Sequence, residues 1–239
     1  MSSSIQKTFV WSRNIRLFHW LNVISVLLLI VIGLALYFDD ALGLSTEGKI
    51  LLKTIHVLIG YVFAINLLFR ILLGFIGSGL ESWSKTLPFT KAYQQELAIL
   101  KHDNNTTFSG HSPKGKLMVA ILLLLLTIQM ISGLILASTD IYYPPFGHYF
   151  AKSIAIDKTK LETIKPYSKE NVDKEAFQSM RAIRKPFITA HKYSFYLLLL
   201  LIPLHILAVI FTERKEKSSL VSAMIHGYKY LPKKDNISK

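Results

Sequence analysis

Four apolar runs, each about long enough to cross a lipid bilayer, constrain this chain more than any other feature of its sequence. They cover Leu17 to Phe38, Leu51 to Ile76, Leu117 to Ser138 and His191 to Phe211. A helix needs about 20 apolar residues to cross the hydrocarbon core. The sequence therefore predicts an all-α integral membrane four-helix bundle over residues 1–212, followed by a basic cytoplasmic tail, 213–239.

The charge balance fits a membrane protein better than a nucleic-acid-binding protein. Lys plus Arg number 28 and Asp plus Glu 15, which gives a net charge of +13 and would by itself suggest nucleic acid. However, only 18% of the residues are charged and 51% are hydrophobic, and the basic residues lie mostly between the apolar runs. We therefore expect contact with the lipid bilayer and no nucleic-acid partner.

The chain contains no cysteine. This excludes disulfides, iron–sulfur clusters held by thiolates, a catalytic cysteine and the covalent attachment of c-type haem. Any cofactor must therefore be held noncovalently by other residues.

The basic residues near the ends of the runs predict the orientation in the membrane. On the side that holds both termini there are ten, and on the opposite side five. The ten are Lys7, Arg13, Arg16, Lys85, Lys91, Lys114, Lys116, Arg214, Lys215 and Lys217, and the five are Lys49, Lys152, Arg181, Arg184 and Lys185. The excess favours both termini in the cytoplasm. We expect the first run to be retained, because it is longer than a signal-peptide core and no small-residue cleavage pattern follows it.

The connection between the third and fourth runs, 139–190, is long enough to have a structure or a function of its own. The predicted orientation places it outside the cytoplasm. It could form a docking surface for a partner protein. Equally, it could be a solvated, flexible excursion with a short amphipathic helix near Lys174 to Arg184.

Four of the eight histidines lie within the apolar runs, where an ionisable side chain is costly and indicates a functional site. They are His19 in the first run, His56 in the second, and His191 and His205 in the fourth. The last two are 14 residues apart. This spacing puts them on one helix face, about 21 Å apart in depth.

If the helices alternate in direction, the four histidines form two pairs by depth. His56 and His191 lie near the outer surface, and His19 and His205 near the inner surface. A single histidine in the membrane can simply be an interfacial or hydrogen-bonded residue, but four that pair by depth favour metal ligation. Two facing imidazoles can fill both axial positions of a haem iron. A zinc site fits poorly, because its ligands would have to converge on one point.

Other polar residues near these histidines have less specific interpretations. Lys53 and Lys192 near the outer pair, and Arg16 and Arg70 near the inner pair, could bind haem propionates, although snorkelling to the lipid headgroups explains each of them equally well. His111, in the loop before the third run, could exchange protons with a quinone beside the inner haem. It is more simply explained as a surface histidine in a turn.

At these residues the chain resembles the bacterial cytochrome b561 and nickel-iron hydrogenase cytochrome b family. The resemblance covers about residues 9 to 212. The matching motifs are Arg16-Leu17-Phe18-His19-Trp20, His56-Val57-Leu58-Ile59-Gly60-Tyr61 with Phe69-Arg70, Gly110-His111-Ser112-Pro113-Lys114-Gly115, and the pair His191 and His205.

This resemblance implies two noncovalent b haems with the four histidines as axial ligands, in a multi-pass protein of the bacterial cytoplasmic (inner) membrane. It also implies electron transfer between quinone and a periplasmic redox protein, which can be a hydrogenase, another oxidoreductase or a c-type cytochrome. The chain departs from the family in its longer outer loop and in Lys192, which stands where an acidic residue often follows the histidine. The identity of the partner is therefore not carried over.

Three functions remain open at this point. The first is an electron-transfer subunit of a respiratory oxidoreductase, which relays electrons and is not a stand-alone catalyst. The second is a self-sufficient oxidoreductase, similar to the small cytochromes b561 that pass electrons from a reductant such as superoxide to quinone. The third is a haem-free membrane anchor or transporter.

Overall fold

A computed structural model of the chain describes residues 5–103 and 106–232. These residues are mostly helical. The elements are β1 (Ile5–Phe9), α1 (Arg13–Tyr37), α2 (Thr46–Ile76), α3 (Trp83–Thr86), α4 (Lys91–His102), α5 (Pro113–Asp140), α6 (Gly147–Ile154), α7 (Lys174–Glu216), α8 (Leu220–His226) and β2 (Tyr228–Pro232). In the described residues, α1, α2, α5 and α7 are long and apolar enough to cross a membrane. Three of the four apolar runs lie within these helices, and the first run, which ends at Phe38, extends one residue beyond α1.

Each of the four long helices begins at a polar capping residue. The hydroxyl oxygens of Ser12, Ser45 and Ser112 accept hydrogen bonds from the backbone N–H three residues later, over 3.1 to 3.3 Å. A carboxylate oxygen of Asp173 accepts from Ala176 N over 2.7 Å. Such side chains satisfy backbone donors that have no partner within the helix. These caps explain why the helices begin before the apolar runs do.

The fourth long helix differs most from its predicted boundaries. α7 runs without a break from Lys174 to Glu216, so the short helix expected near Lys174 to Arg184 is the first part of the membrane helix and not a separate element. The connection after α5 is therefore shorter than 139–190, and covers 141–173.

The described residues divide into two compact units. The terminal unit contains those within 1–20, 67–124 and 198–239, and the loop unit those within 21–66 and 125–197.

In the terminal unit, the two ends of the described chain pair with each other. β1 and β2 form an antiparallel sheet in which Phe9 lies opposite Tyr228. Next to it, Trp11 is buried with Val10, Ile15, Leu73 and Ala223. The segment expected to be a simple basic tail thus contributes a short helix, α8, and a strand, β2, to a folded core.

In the loop unit, the connection 141–173 is folded. Ala151, Ile154, Ala155, Ile164 and Met180 form a buried apolar cluster. Ala155 pairs with Val172 in an isolated β-bridge, and the Asn171 side chain hydrogen-bonds to both the backbone N–H and the backbone carbonyl of Asp157. These contacts do not fit the flexible excursion that was one expectation for this segment.

Candidate functional site

His56 and His191 face each other in the loop unit. His56 lies on α2 and His191 on α7. Their ring centroids are 6.4 Å apart and the ring planes make an angle of 71°. The structure thus brings together two residues that are 135 positions apart in the sequence (191 − 56).

This separation fits two imidazoles on opposite sides of one metal ion. A bond from a first-row metal to an imidazole nitrogen is about 2 Å long, and adding the distance from each nitrogen to its own ring centre puts the two centroids about 6 Å apart. Within residues 5–103 and 106–232, no group of three or more His, Cys, Asp or Glu residues could hold a metal ion. Two facing imidazoles suit an iron whose remaining ligands come from a macrocycle.

A hydrogen bond determines which nitrogen of His191 is available. The hydroxyl of Ser132 donates its only proton to the carbonyl of Ile128 over 2.6 Å, and the same oxygen lies 2.9 Å from Nδ1 of His191. Since that proton is already used, Nδ1 must be the donor to Ser132. Nδ1 then carries the hydrogen, and Nε2 is left with a free lone pair for a metal. Gln129 also donates to the backbone carbonyl of His191 over 2.9 Å, which fixes this turn of α7 against α5.

His56 lies beside open space. Its Nδ1 is buried and has no hydrogen-bond partner in the described part of the chain. A Cβ at Gly33 would come within 3.5 Å of the His56 ring, and one at Gly133 within 3.4 Å of the His191 ring. A Cβ at Gly60, one turn along α2 from His56, would meet no atom within 4 Å. The glycines leave room at this pair for a flat ligand.

His19 and His205 both belong to the terminal unit. They lie close enough to interact electrostatically, but no ring contact joins them in the described residues, in contrast to the pair in the loop unit. Nδ1 of His19 is buried without a hydrogen-bond partner among the described residues, and its ring packs edge-on against Trp20 with 5.3 Å between centroids. The two pairs thus differ in the contact between their rings.

His111 is not an exposed turn residue, contrary to the simpler expectation. Its ring lies 4.7 Å from the ring of the buried Trp11. Burial, with smaller contributions from His205 and Lys116, lowers the pKa of His111 to about 3. The imidazole is therefore neutral at physiological pH and lies near the predicted inner ligand His205.

The two predicted propionate partners in the terminal unit differ in how their guanidinium groups are used. Arg70 is buried and donates to the carbonyl of Glu81 over 3.1 Å and to the hydroxyl of Thr86 over 3.4 Å. Arg16 donates to the carbonyl of Ile225. Its Nε is buried without a partner in the described residues, so this donor is available to a ligand.

In the loop unit, Lys53 is 2.5 Å from a carboxylate oxygen of Asp140, and Lys192 lies 5.4 Å from the centre of the Tyr37 ring. Arg184, which sequence reasoning did not select, binds the other carboxylate oxygen of Asp140 over 3.0 Å. Nε of Arg184 is buried without a partner among the described residues. No local sequence pattern identifies Arg184, because its partner Asp140 lies on another helix.

Comparison with known proteins gives a family match over most of the chain. The family model for prokaryotic cytochrome b561 matches residues 10–227. A protein of Cupriavidus necator, named "Probable Ni/Fe-hydrogenase B-type cytochrome subunit", is 26% identical over 139 residues, which are 54% of this chain and 57% of that protein. The chain thus matches little more than half the length of this relative. No solved structure matches the chain.

Proposed function

The chain belongs to the prokaryotic cytochrome b561 family, and from that premise we propose that it is a dihaem cytochrome b subunit that relays electrons across the cytoplasmic membrane between quinone and a periplasmic redox protein. Its role as a membrane cytochrome b in electron transfer follows from the family and from the four apolar helices. What we propose beyond this role is that the chain holds two haems, exchanges electrons with quinone and passes them to or from a periplasmic protein. The main observation in support is that the rings of His56 and His191 face each other with 6.4 Å between centroids.

In this proposal, His56 and His191 bind the outer haem and His19 and His205 the inner haem. A bound haem supplies an iron that accepts and gives up one electron without making or breaking bonds in the protein. The chain supplies neutral imidazoles, fixes one of them through Ser132 and surrounds them with apolar helices. An apolar environment and hydrogen-bonded ligands are the means by which a protein sets a haem potential.

Haem propionates would satisfy two guanidinium groups that otherwise have buried, unpaired nitrogens. Arg16 near the inner pair and Arg184 in the loop unit each have such an Nε in the described part of the chain. A carboxylate is the natural partner of a guanidinium group. We therefore assign Arg16 to the inner haem and add Arg184 to the predicted candidates for the outer haem. Arg70, Lys53 and Lys192 contact protein groups as well, and their binding of propionates stays a prediction.

His111 is the candidate for exchanging protons with a quinone beside the inner haem. It is neutral, lies near His205 and packs against Trp11, whose indole ring provides an apolar wall. The greater number of basic residues on the side of the termini supports both termini in the cytoplasm. The partner would then meet the opposite side, and the name of the Cupriavidus necator relative supports an oxidoreductase as its class.

The test is a pyridine haemochrome assay with a reduced-minus-oxidised spectrum on purified protein and on single variants. We expect about two b haems per chain, with His56→Ala and His191→Ala losing one and His19→Ala and His205→Ala losing the other. His148→Ala, at an exposed histidine, is the matched control and should retain both. Full haem content in all four variants would refute the ligand assignment, and protein without any haem would support an anchor or transporter.

A further inference from the structure

We propose that the α8–β2 segment, 219–232, positions the inner haem ligand His19 by holding Arg16 and Trp20, the two residues that flank it on α1. The proposal rests on the proposed function, since it concerns a ligand assigned to the inner haem. It makes the α8–β2 segment part of the inner haem site, although the segment belongs to none of the four membrane helices.

The last turn of α8 binds both residues through its backbone carbonyls. Trp20 Nε1 donates to the carbonyl of Met224 over 2.9 Å, and Arg16 Nη1 donates to the carbonyl of Ile225. The last four carbonyls of a helix find no donor within that helix, so they need partners from elsewhere. Two side chains of α1 thus satisfy carbonyls of α8, more than 200 residues away in the sequence.

The bond to α8 fixes the aromatic ring that contacts the ligand. The rings of His19 and Trp20 meet edge to face, with 5.3 Å between centroids and 90° between planes, an arrangement that aromatic rings prefer. Nδ1 of His19 has no hydrogen-bond partner among the described residues. The contact with Trp20 therefore orients the His19 ring, as the hydrogen bond to Ser132 orients His191.

The second contact with α8 holds Arg16 beside the same ligand. Its Nη1 is used by the carbonyl of Ile225, whereas its Nε is buried without a partner in the described part of the chain. His19 follows Arg16 by three residues on α1, so the two lie on one helix face. The carbonyl of Ile225 thus holds the guanidinium group with Nε left for the proposed propionate.

Trp20 has a simpler interpretation as a membrane anchor. Tryptophan near the end of a membrane helix commonly lies at the level of the lipid headgroups, and the Trp20 side chain is 41% exposed. An indole has only one N–H, however, and in Trp20 it is donated to Met224. The hydrogen bond of Trp20 therefore serves the contact with α8 and not a headgroup.

α8 can hold these residues because its own position is fixed. Ala223 is fully buried in the cluster that contains Trp11. Gly227 ends α8 in a left-handed conformation, with φ of +90°, and its carbonyl accepts hydrogen bonds from the backbone N–H groups of Val10 and Trp11 over 2.8 and 3.1 Å. A Cβ at Gly227 would lie 2.8 Å from the carbonyl oxygen of Trp11. This close approach requires glycine.

The strand after α8 joins it to other parts of the terminal unit. β2 pairs with β1. Lys229 on β2 is 2% exposed, and its Nζ donates to the carbonyl of Phe108 over 2.8 Å and lies 3.2 Å from a carboxylate oxygen of Glu216. Displacing the strand would leave a buried ammonium group without partners, which is costly. The α8–β2 segment therefore resists movement relative to α1.

The experiment compares variants of the full-length, haem-loaded protein. Trp20→Phe keeps an aromatic ring beside His19 and removes the N–H that binds α8. Gly227→Ala displaces the end of α8 and changes no residue of α1. The pyridine haemochrome assay gives haem per protein. Electron paramagnetic resonance of the oxidised protein records each low-spin haem signal, which depends on the angle between the planes of the two axial imidazoles and so on the contacts that orient them.

His19→Ala identifies the signal of the inner haem, because that signal should be missing from its spectrum. We expect Trp20→Phe to retain about two haems per chain, with the inner signal shifted and the outer signal unchanged. Gly227→Ala should lose about one of two haems per chain, so that its spectrum resembles that of His19→Ala.

Each variant has a matched control in the terminal unit. Trp83→Phe removes an indole N–H that also donates to a backbone carbonyl, that of Ile71, over 3.2 Å. Gly79→Ala changes another glycine with positive φ, +55°, where a Cβ would meet no atom within 4 Å. Both controls should keep the haem content and the two signals of the unchanged protein.

An unchanged inner signal in Trp20→Phe would overturn the proposal. Full haem content in Gly227→Ala would also overturn it, and so would equal loss of both haems, because the segment would then support the whole fold. If Gly227→Ala does not accumulate, the signal of Trp20→Phe decides. A His19→Ala protein that keeps both haems is a separate result, and it would refute the ligand assignment of the proposed function.

Discussion

Ser132 on α5 accepts a hydrogen bond from Nδ1 of His191 on α7, over 2.9 Å. Ser132 is 2% exposed, and its own proton is used by the carbonyl of Ile128. His56, which faces His191, has no equivalent partner for its Nδ1 in the described residues. The two proposed ligands of the outer haem are therefore chemically unequal. His191 is held in one tautomer, whereas no hydrogen bond within the described residues holds Nδ1 of His56.

Replacing Ser132 by alanine should raise the midpoint potential of the outer haem. A ring N–H that donates a hydrogen bond makes the imidazole a stronger electron donor, which stabilises ferric iron. Removal of this bond should shift the potential by tens of millivolts, because about 1.4 kcal/mol corresponds to about 59 mV for one electron. A spectroelectrochemical titration measures the shift.

Ser25→Ala is the matched control for this potential, since Ser25 is also buried in a long helix and donates to the carbonyl of Leu21, with no hydrogen bond to a histidine among the described residues. An unchanged outer potential in Ser132→Ala, with both haems retained, would contradict the assigned role of the hydrogen bond.

Gly60→Leu should remove about one of two haems per chain. A Cβ at Gly60 meets no protein atom within 4 Å, so the polypeptide itself offers no obstacle to a larger side chain. A haem held between His56 and His191 would clash with the leucine, because Gly60 lies one turn along α2 from His56 on the same face. Haem per protein, from the pyridine haemochrome assay, is the readout. The control is Gly48→Leu, near the start of α2, which should retain both haems. Full haem content in Gly60→Leu would mean that the space beside Gly60 holds no haem.

Asp140→Asn should lower the free energy of unfolding by about 1–2 kcal/mol, because it leaves Lys53 and Arg184 without their shared carboxylate. The loss is smaller than for a fully buried pair, since the Lys53 and Asp140 side chains are 23% and 24% exposed and solvent screens their charges. Thermal unfolding in detergent, followed by circular dichroism, measures it. The control is Asp40→Asn. The Asp40 side chain is 94% exposed in its pair with Lys49, so this substitution should change the free energy of unfolding little. Equal effects in the two variants would argue against a structural role for the Asp140 cluster.

His111 should make the protein less stable in mild acid. Its folded-state pKa of about 3 lies below the ordinary value of 6.5, so below pH 6.5 the unfolded chain takes up the proton and the folded chain does not. Between pH 7 and pH 5 this difference should cost about 2 kcal/mol. In His111→Gln that part of the pH dependence should disappear. Chemical unfolding of both proteins at the two pH values tests this, with His148→Gln as an exposed control. Identical pH dependence in wild type and His111→Gln would show that His111 is not buried in solution.

The sequence was sufficient for the four apolar helices and for the histidines that they carry. A membrane helix satisfies all its backbone hydrogen bonds within one segment, so its position depends on local length and apolar composition. The 14-residue spacing of His191 and His205 and the placement of His56 are likewise readable from the sequence. The family resemblance drawn from these motifs is confirmed by the match over residues 10–227.

The sequence was less informative about contacts between distant segments. Phe9 pairs with Tyr228, and Arg184 and Lys53 share Asp140. Neither arrangement has a local periodicity, because the partners come from different parts of the chain. The helix caps, in contrast, are local: Asp173 caps the start of α7, next to the position at which one expectation placed a short separate helix, and its position three residues before Ala176 was available in the sequence.

The sequence by itself thus determined that the chain forms four membrane helices and which histidines they carry, since both depend on interactions within a few turns. Only the tertiary structure decided which nitrogen of His191 is free, that His111 is packed against Trp11, and that Lys53 Nζ lies 4.7 Å from the centre of the Tyr167 ring. Each of these depends on where a second segment lies, and the free energy of such a contact is realised only when the chain has folded.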